Sequence, residues 1–481
     1  MTRADGNGYQ DRERMRVLIA GGGVAALETL LALRELAGDH VSIALVAPGS
    51  ELLYRPVTVA EAFDRGEART FALDEILVHQ HVEHVHDAVV GVRPAVRTAL
   101  TAGSGELTYD ALVIATGARP MPTLPGALAF AGRQDVAALR DILAQLLAGR
   151  ATSVAFTVGR GHLWTMPIYE LALLTGAHLR EHGCRARITL VTPEEAPLEL
   201  FGPEAEAAIR PMLAGVGVEV RCSAMPAAVK PRELVLAGGG GVMADRVVTL
   251  PDLEGPRIPG LGADAHGFIL TDAHGCVANA PGVYAAGDAV SFPLKQGGLA
   301  TQQADAVAEH IAQRAGAPVT PRPFRPVLRG LLINEGAPVY LRSEPQRMSR
   351  PSSVAIDDHR SRRRVPEASL ASQQALWWPP AKIAGRYLAP YLATARPRAL
   401  AGEPLSDRRV VPGPDVGDDE FADAVALVLM LADGDAEWED YGAALAALDA
   451  AEALEGSLPP EYEAKRRLWL ATARGLGRDV S

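Results

Sequence analysis

Val17-Leu18-Ile19-Ala20-Gly21-Gly22-Gly23-Val24-Ala25-Ala26 is the stretch that decides the fold. Val17 to Ala20 read as a buried strand, a G-x-G-x-x-A turn follows, and an Ala/Leu-rich run to about Leu36 reads as a helix. Gly21 permits the tight turn, Gly23 lets the backbone approach a pyrophosphate, and Ala26 keeps helix and strand close, so the helix N-terminus can face phosphates. Alone the pattern is weak, because glycine-rich strand-to-helix turns also occur without a ligand. Two distant segments strengthen it: Tyr109-Asp110-Ala111-Leu112-Val113-Ile114-Ala115-Thr116-Gly117 and Val283-Tyr284-Ala285-Ala286-Gly287-Asp288. Each is an apolar strand that ends in a small polar turn.

The 481 residues suffice for two or three domains, and the net charge of -11 argues against nucleic acid as a main partner. Residues 1–14 are polar and charged and read as a disordered leader. No apolar run reaches the ~20 residues needed to span a bilayer, so the expected location is cytoplasmic, with surface attachment left open. Cys184, Cys222 and Cys276 are too scattered for a disulfide framework and read as inert thiols.

Alternating strand and helix patterns predict an α/β chain with two Rossmann-like dinucleotide-binding domains, the second inserted in the first. Residues 15–130 and 265–320 form the first and 131–264 the insertion, since the strand before Gly287-Asp288 arrives only after it. Residues 321–405 form a C-terminal region that covers the site or contacts a membrane or a second subunit. Residues 413–481 are an acidic helical tail, in which 439–451 looks like one helix pair of a tetratricopeptide-type repeat.

Ala115-Thr116-Gly117 and Gly287-Asp288 resemble the A-T-G and G-D motifs of the two-dinucleotide-binding-domain flavoproteins. The resemblance implies FAD, with Asp288 hydrogen-bonding its ribityl chain and Gly21, Gly23, Ala26, Ala115, Thr116, Gly117 and Gly287 in the cradle. The second strand ends at Ala47, where the fingerprint expects an acid for the adenosine ribose, and Glu51 is the one acidic side chain nearby. The ribose contact is therefore unassigned.

Tyr54-Arg55-Pro56 should pack near the flavin ring, and Lys295-Gln296-Gly297-Gly298 opens a helix whose N-terminus would face the ring's pyrimidine edge. This order of motifs, over about residues 15 to 395, resembles the sulfide:quinone oxidoreductase and type II NADH dehydrogenase group of the pyridine nucleotide-disulfide oxidoreductase superfamily. The likeness implies a donor that reduces FAD and a quinone that takes the electrons, with Lys295 and Tyr54 as catalytic candidates. On residue type alone Lys295 reads equally well as a solvated surface lysine.

Two features separate the branches. The second glycine turn, Val158-Gly159-Arg160-Gly161-His162-Leu163-Trp164, keeps Gly159 and Gly161 but has Trp164 in place of a small residue, so a nicotinamide pocket reads as filled or remodelled. In related folds this loop faces the flavin, which draws attention to His162 and Trp164, with a structural aromatic plug the better reading of their role. Against sulfide chemistry, neither this loop nor the segment after Lys295 carries a cysteine, which leaves the flavin to act without a cysteine redox centre. The alternatives are an NAD(P)H-dependent reductase using the altered loop, and a flavin-holding interaction protein that recruits a partner through its C-terminal helices.

Two further patterns invite attention. His79, His81, His84 and His86 fall at two-residue steps that fit one face of a strand, without a recognised zinc spacing, so no metal is assigned. In residues 376–392, Ile383, Tyr387 and Tyr391 fall at helical spacing beside Lys382 and Arg386, which suits a membrane-surface helix. A cap on the flavin domain, or a homodimer contact, suits that stretch equally well.

Overall fold

The structure is a computed structural model that describes residues 14–159, 163–344, 369–373, 375–377, 379–394, 445, 448 and 460–475. It is built on two five-stranded parallel sheets. In the first, the strands run in the order Val283–Ala285, Ala111–Ile114, Met15–Ala20, Val41–Val46, Glu83–Val85. Ala111–Ile114 and Val283–Ala285 are buried at every position, as parallel strands covered on both faces must be. Helix Val24–Ala37 crosses between the first two strands in sequence and packs on helix Gly297–Arg314 through Leu27, Leu30, Val307 and Ile311.

The second sheet runs Leu128–Ala129, Arg246–Thr249, Ser153–Thr157, Arg187–Val191, Val218–Arg221. Its strands fall in sequence between two neighbours of the first sheet, Ala111–Ile114 and Val283–Ala285. Arg119–Met121 and Asp252–Glu254, which lead into and out of the second sheet, pair antiparallel side by side. Leu128–Ala129, placed on sequence at the end of the first region, is the edge strand of the second sheet. A three-stranded antiparallel sheet, Leu328–Leu332, Val339–Ser343 and Ser369–Ser372, follows.

The C-terminal segment departs from its expected helix. Only Leu388–Thr394 is helical; the chain from 379 to 387 is irregular, following Pro379-Pro380 and passing through Gly385. Trp377, Ile383, Ala384, Leu388 and Leu392 are buried against the body, so these apolar groups cap the fold and do not face outward; Trp378 lies outside the described residues. Among the described residues no helix is long and apolar enough to cross a membrane. The leader lies almost wholly outside the described residues, as does most of the tail, in which helix Pro460–Gly475, Leu445 and Leu448 are seen.

A buried carboxylate is one of the groups that pin the cap. Glu28, fully buried in helix Val24–Ala37, accepts hydrogen bonds from the Tyr387 amide (2.9 Å) and the Leu388 amide (2.8 Å). A Cβ on Gly385 would sit 2.6 Å from Glu28 Oε2, which shows how closely the segment presses. Burial pushes the Glu28 carboxyl up to about 7, and burial together with the Glu28 charge pushes neighbouring Asp305 well up.

Between the ordinary value of 4.5 and about 7 the folded chain thus holds a proton on Glu28 that the unfolded chain has released. Stability should fall as pH rises through that window, by about 1.4 kcal/mol per pH unit for one proton. Thermal melts between these pH values should show this slope in the parent and a flatter one in Glu28→Gln; equal slopes would remove Glu28 as its origin.

Candidate functional site

The three motifs meet at one point. Gly21, at φ 125°, donates its amide to Val46 O (2.8 Å), and a Cβ there would lie 2.3 Å from Ala115 O. Gly287, at φ 74°, would bring a Cβ within 2.9 Å of the Ala25 methyl. Glycine is needed at both because backbone from one motif touches the next. Gly23 and Gly117, by contrast, have nothing within 4 Å of an added Cβ, and Thr116 is exposed. The helix N-terminus after Gly23 therefore opens onto free space, as a pyrophosphate requires. Ala26 is fully buried against the strand.

Asp288 reaches a cavity of about 500 Å³ together with Arg55, Pro56, Lys295, Gln296 and Gly297. Its carboxyl has no hydrogen-bond partner among the described residues; burial raises its pKa, partly offset by Lys295 and Arg55. An acid held in a cavity wall with free lone pairs suits the hydroxyls of a ribityl chain. FAD fits these residues: the glycine cradle and open helix N-terminus suit its phosphates, and the carboxylate without a partner suits its hydroxyls.

With Asp288 expected to accept from the ribityl hydroxyls, Asp288→Ala would remove a hydrogen bond to a charged acceptor, of the order of 1.5–3 kcal/mol. FAD retention measured by dialysis should weaken by about tenfold to a hundredfold. An unchanged dissociation constant would take Asp288 out of the flavin site.

Lys295, Gln296 and Gly297, at the start of helix Gly297–Arg314, form part of the cavity wall. The Gln296 side chain caps it by accepting from the Leu299 amide (2.8 Å) and donates to Arg329 O (2.9 Å). Gly297 is forced by crowding, since a Cβ would meet Ile383 at 2.9 Å. At Gly298 the neighbour is the capping Gln296 side chain, 3.2 Å from an added Cβ. Lys295 is not a solvated surface lysine: its ammonium lies 3.8 Å from the Phe268 ring centre and donates to Val290 O. Burial brings its pKa down to about 8 against the pull of Asp288 and Asp264.

Tyr54 is placed differently from its neighbours Arg55 and Pro56. It does not line the cavity, and its hydroxyl accepts the Ile383 amide (2.8 Å), tying the C-terminal cap to the flavin side of the fold. Burial raises its phenol well above the ordinary value.

One pair in the wall escaped the sequence reading. Lys382 Nζ lies 2.5 Å and 2.6 Å from the two oxygens of Glu170, whose side chain is fully buried while that of Lys382 is 9% exposed. Glu170 Oε1 also accepts the Ile333 amide at 2.7 Å. Burial raises the Glu170 pKa, and Lys382 opposes the rise. The one available signal was a glutamate within the apolar run Ile168 to Leu174, since an acid is rarely fully buried without a partner.

At the second glycine turn Gly159, like Gly21, is packed too closely to carry a side chain. A Cβ on Gly159 would lie 2.3 Å from Thr123 Cγ2. Trp164 lines the cavity and meets Phe201 edge-on at 5.8 Å. Gly161 and His162 lie outside the described residues. Glu194, beyond the strand Arg187–Val191, accepts hydrogen bonds from Tyr169 (2.7 Å), Thr165 (3.0 Å), Thr192 (2.7 Å) and the Glu199 amide (3.2 Å). Thr165 precedes helix Met166–Glu181 and its hydroxyl turns to Glu194 instead of capping the helix, so a carboxylate of the chain sits beside the helix start that a dinucleotide would otherwise approach. Cys184, Cys222 and Cys276 are free thiols away from the cavity, and burial raises Cys222 and pushes Cys276 up to about 11.

Fold and site together define an FAD-dependent oxidoreductase. The chain belongs to the pyridine nucleotide-disulphide oxidoreductase family, which it matches over residues 15–309. It is 28% identical over 291 residues to the NADH dehydrogenase-like protein Rv1812c of Mycobacterium tuberculosis, a match covering 57% of this chain and 72% of that one. It is also 28% identical over 341 residues to the ferredoxin reductase component of a chlorobenzene dioxygenase from a Cupriavidus species, covering 63% and 76%. In fold it is similar to the sulfide:quinone oxidoreductase of Aquifex aeolicus, with a TM-score of 0.62 at 19% identity over 74% of this chain and 86% of that one.

Proposed function

We propose that this chain carries electrons from a donor other than a nicotinamide, through its flavin, to a quinone or similar acceptor, with no cysteine redox centre. The observation that carries the acceptor assignment is the Glu170–Lys382 pair in the cavity wall. Bound FAD supplies two-electron acceptance and release. A quinone taking two electrons also needs two protons and a way to spread charge on its oxygens. Lys382 offers N–H donors held at a fixed place by Glu170, and Glu170 is an acid whose pKa burial raises above its ordinary range, which favours holding a proton that can be passed on.

Lys295 and the start of helix Gly297–Arg314 present positive potential to the same cavity. Asp288 and Arg55, close to Lys295, supply polar groups to the same cavity. Leu163, Trp164, Phe130 and Leu331 give the cavity an apolar lining that suits a flat, weakly polar acceptor. Trp164 in place of a small residue and the Glu194 carboxylate beside the start of helix Met166–Glu181 support the exclusion of NAD(P)H. Names among the relatives favour the rival reading, an NAD(P)H-dependent reductase.

The acceptor assignment is tested in a stopped-flow instrument with photochemically reduced protein mixed anaerobically with a soluble quinone. Fast, saturable reoxidation is expected. Reoxidation by one-electron iron–sulfur carriers but not by the quinone would overturn it.

A further inference from the structure

The histidines between 79 and 86 do not share one strand. His79 ends helix Leu73–His79, and His81 sits in a left-handed turn at φ 51°. Strand Glu83–Val85 begins only beyond that turn, so His84 and His86 alone keep the two-residue step. Their ring centres lie 3.7 Å apart, with the planes tilted by 41°. Both turn toward Asp74, the second residue of helix Leu73–His79: Asp74 Oδ1 is 2.7 Å from His84 Nδ1 and 3.8 Å from His86 Nε2. The three ligand atoms lie within 4.8 Å of one another.

The other nitrogen of His84 is what makes this arrangement informative. His84 Nε2 lies 3.2 Å from Ala47 O, and a carbonyl oxygen only accepts, so the proton is on Nε2. In a neutral ring the Nδ1 lone pair then points straight at a carboxylate oxygen. Two acceptors held 2.7 Å apart require a positive centre between them, which is a proton or a metal ion. A histidine that donates one ring N–H to a backbone carbonyl while its other nitrogen faces a carboxylate and a second imidazole has the outer-sphere support typical of metal ligands.

We infer that Asp74, His84 and His86 form a binding site for a divalent transition-metal ion of the zinc, nickel or cobalt type. Two imidazoles and a carboxylate favour such ions over magnesium or calcium, which prefer all-oxygen shells. Zinc–ligand bonds of about 2.0–2.2 Å place tetrahedral ligands about 3.3 Å apart, so a small widening at Asp74–His84 and a closing of the exposed His86 ring meet the requirement. His84 is 7% exposed and fixed, while Asp74 and His86 are 59% and 56% exposed and can adjust, leaving the outer coordination positions to water.

The site adjoins the dinucleotide loop. Leu73, next to Asp74, would come within 2.7 Å of a Cβ on Gly22, and the Ala47 methyl within 3.3 Å. Metal binding would brace the flank of the loop that lacks the ribose-binding acid. This inference does not depend on the donor or acceptor proposed above.

Isothermal titration of the full, FAD-loaded chain, free of any polyhistidine tag and dialysed against chelator, with zinc chloride and then magnesium chloride tests it. One equivalent of zinc should bind and magnesium should not. His86→Ala and Asp74→Asn, both surface changes that leave the flavin site untouched, should each weaken zinc binding by about tenfold to a hundredfold or more. His79→Ala, whose ring instead faces the Tyr391 hydroxyl, should bind as the parent does. X-ray absorption should give only nitrogen and oxygen neighbours. No zinc binding by the parent would leave a His84–Asp74 ion pair in place of the site, and binding undiminished in both variants would mark an adventitious ion only; either overturns the inference.

Discussion

Lys382→Met should be the most damaging single change in the cavity, lowering quinone turnover by about a hundredfold and folding stability by about 3 kcal/mol at neutral pH. The stability loss follows from burial: without Lys382, the fully buried Glu170 keeps only the Ile333 amide. Its pKa, already raised, would rise further. The folded variant would then hold a proton the unfolded chain has lost, and its deficit should shrink as pH falls toward the ordinary carboxyl range.

The double variant Glu170→Leu/Lys382→Met separates the roles of the pair. Replacing a buried ion pair by apolar groups is often close to neutral for stability, so the double variant should melt near the parent while its quinone turnover stays low. Denaturation and stopped-flow reoxidation check both halves. Recovery of turnover together with stability would reduce the pair to a structural part.

Lys295→Met should make the flavin harder to reduce, with a midpoint about 30–60 mV more negative, taking 30 mV as about 1.4 kcal/mol for two electrons. The sign comes from the charge: an ammonium in the cavity wall favours added electrons, and methionine keeps the stem but removes the charge. Because burial brings Lys295 down to about 8, the parent should lose this advantage as pH rises through that value. The variant should show no such bend. Spectroelectrochemical titration across this range reads both, and an identical bend in parent and variant would assign it to another group.

The glycine cradle was legible because its constraints are local in chemistry though distant in sequence. Gly21 and Gly287 are required by contacts with Ala115 and Ala25, and each motif carries its own signature of apolar strand and small turn. Asp288 was readable for the same reason. Glu170 was not, because its meaning arises only when Lys382, 212 residues away, folds onto it. Sequence periodicity misled at two places. Ile383, Tyr387 and Tyr391 are helically spaced, yet Gly385 is pressed on Glu28 and the helix starts only at Leu388. The histidine steps suggested one strand, but a helix end and the turn at His81 divide them. In both cases tertiary contact and backbone turns overrode the spacing.

Glu194 is a subtler instance. The strand Arg187–Val191 ends without an acid at the expected ribose position, and the acid three residues beyond Val191 turns back to hydrogen-bond Thr165, Tyr169 and Thr192. The surroundings of the start of helix Met166–Glu181 are thus shared between Trp164 and a polar cluster, which no single-residue signal conveys.

The most direct test is anaerobic addition of NADH and then NADPH to the purified, FAD-loaded chain, following the oxidised-flavin absorption. The account predicts no bleaching on the timescale of turnover with either nucleotide. Fast, saturable bleaching by NADH or NADPH would contradict it and make the chain a nicotinamide-dependent reductase that binds its donor despite Trp164 and Glu194.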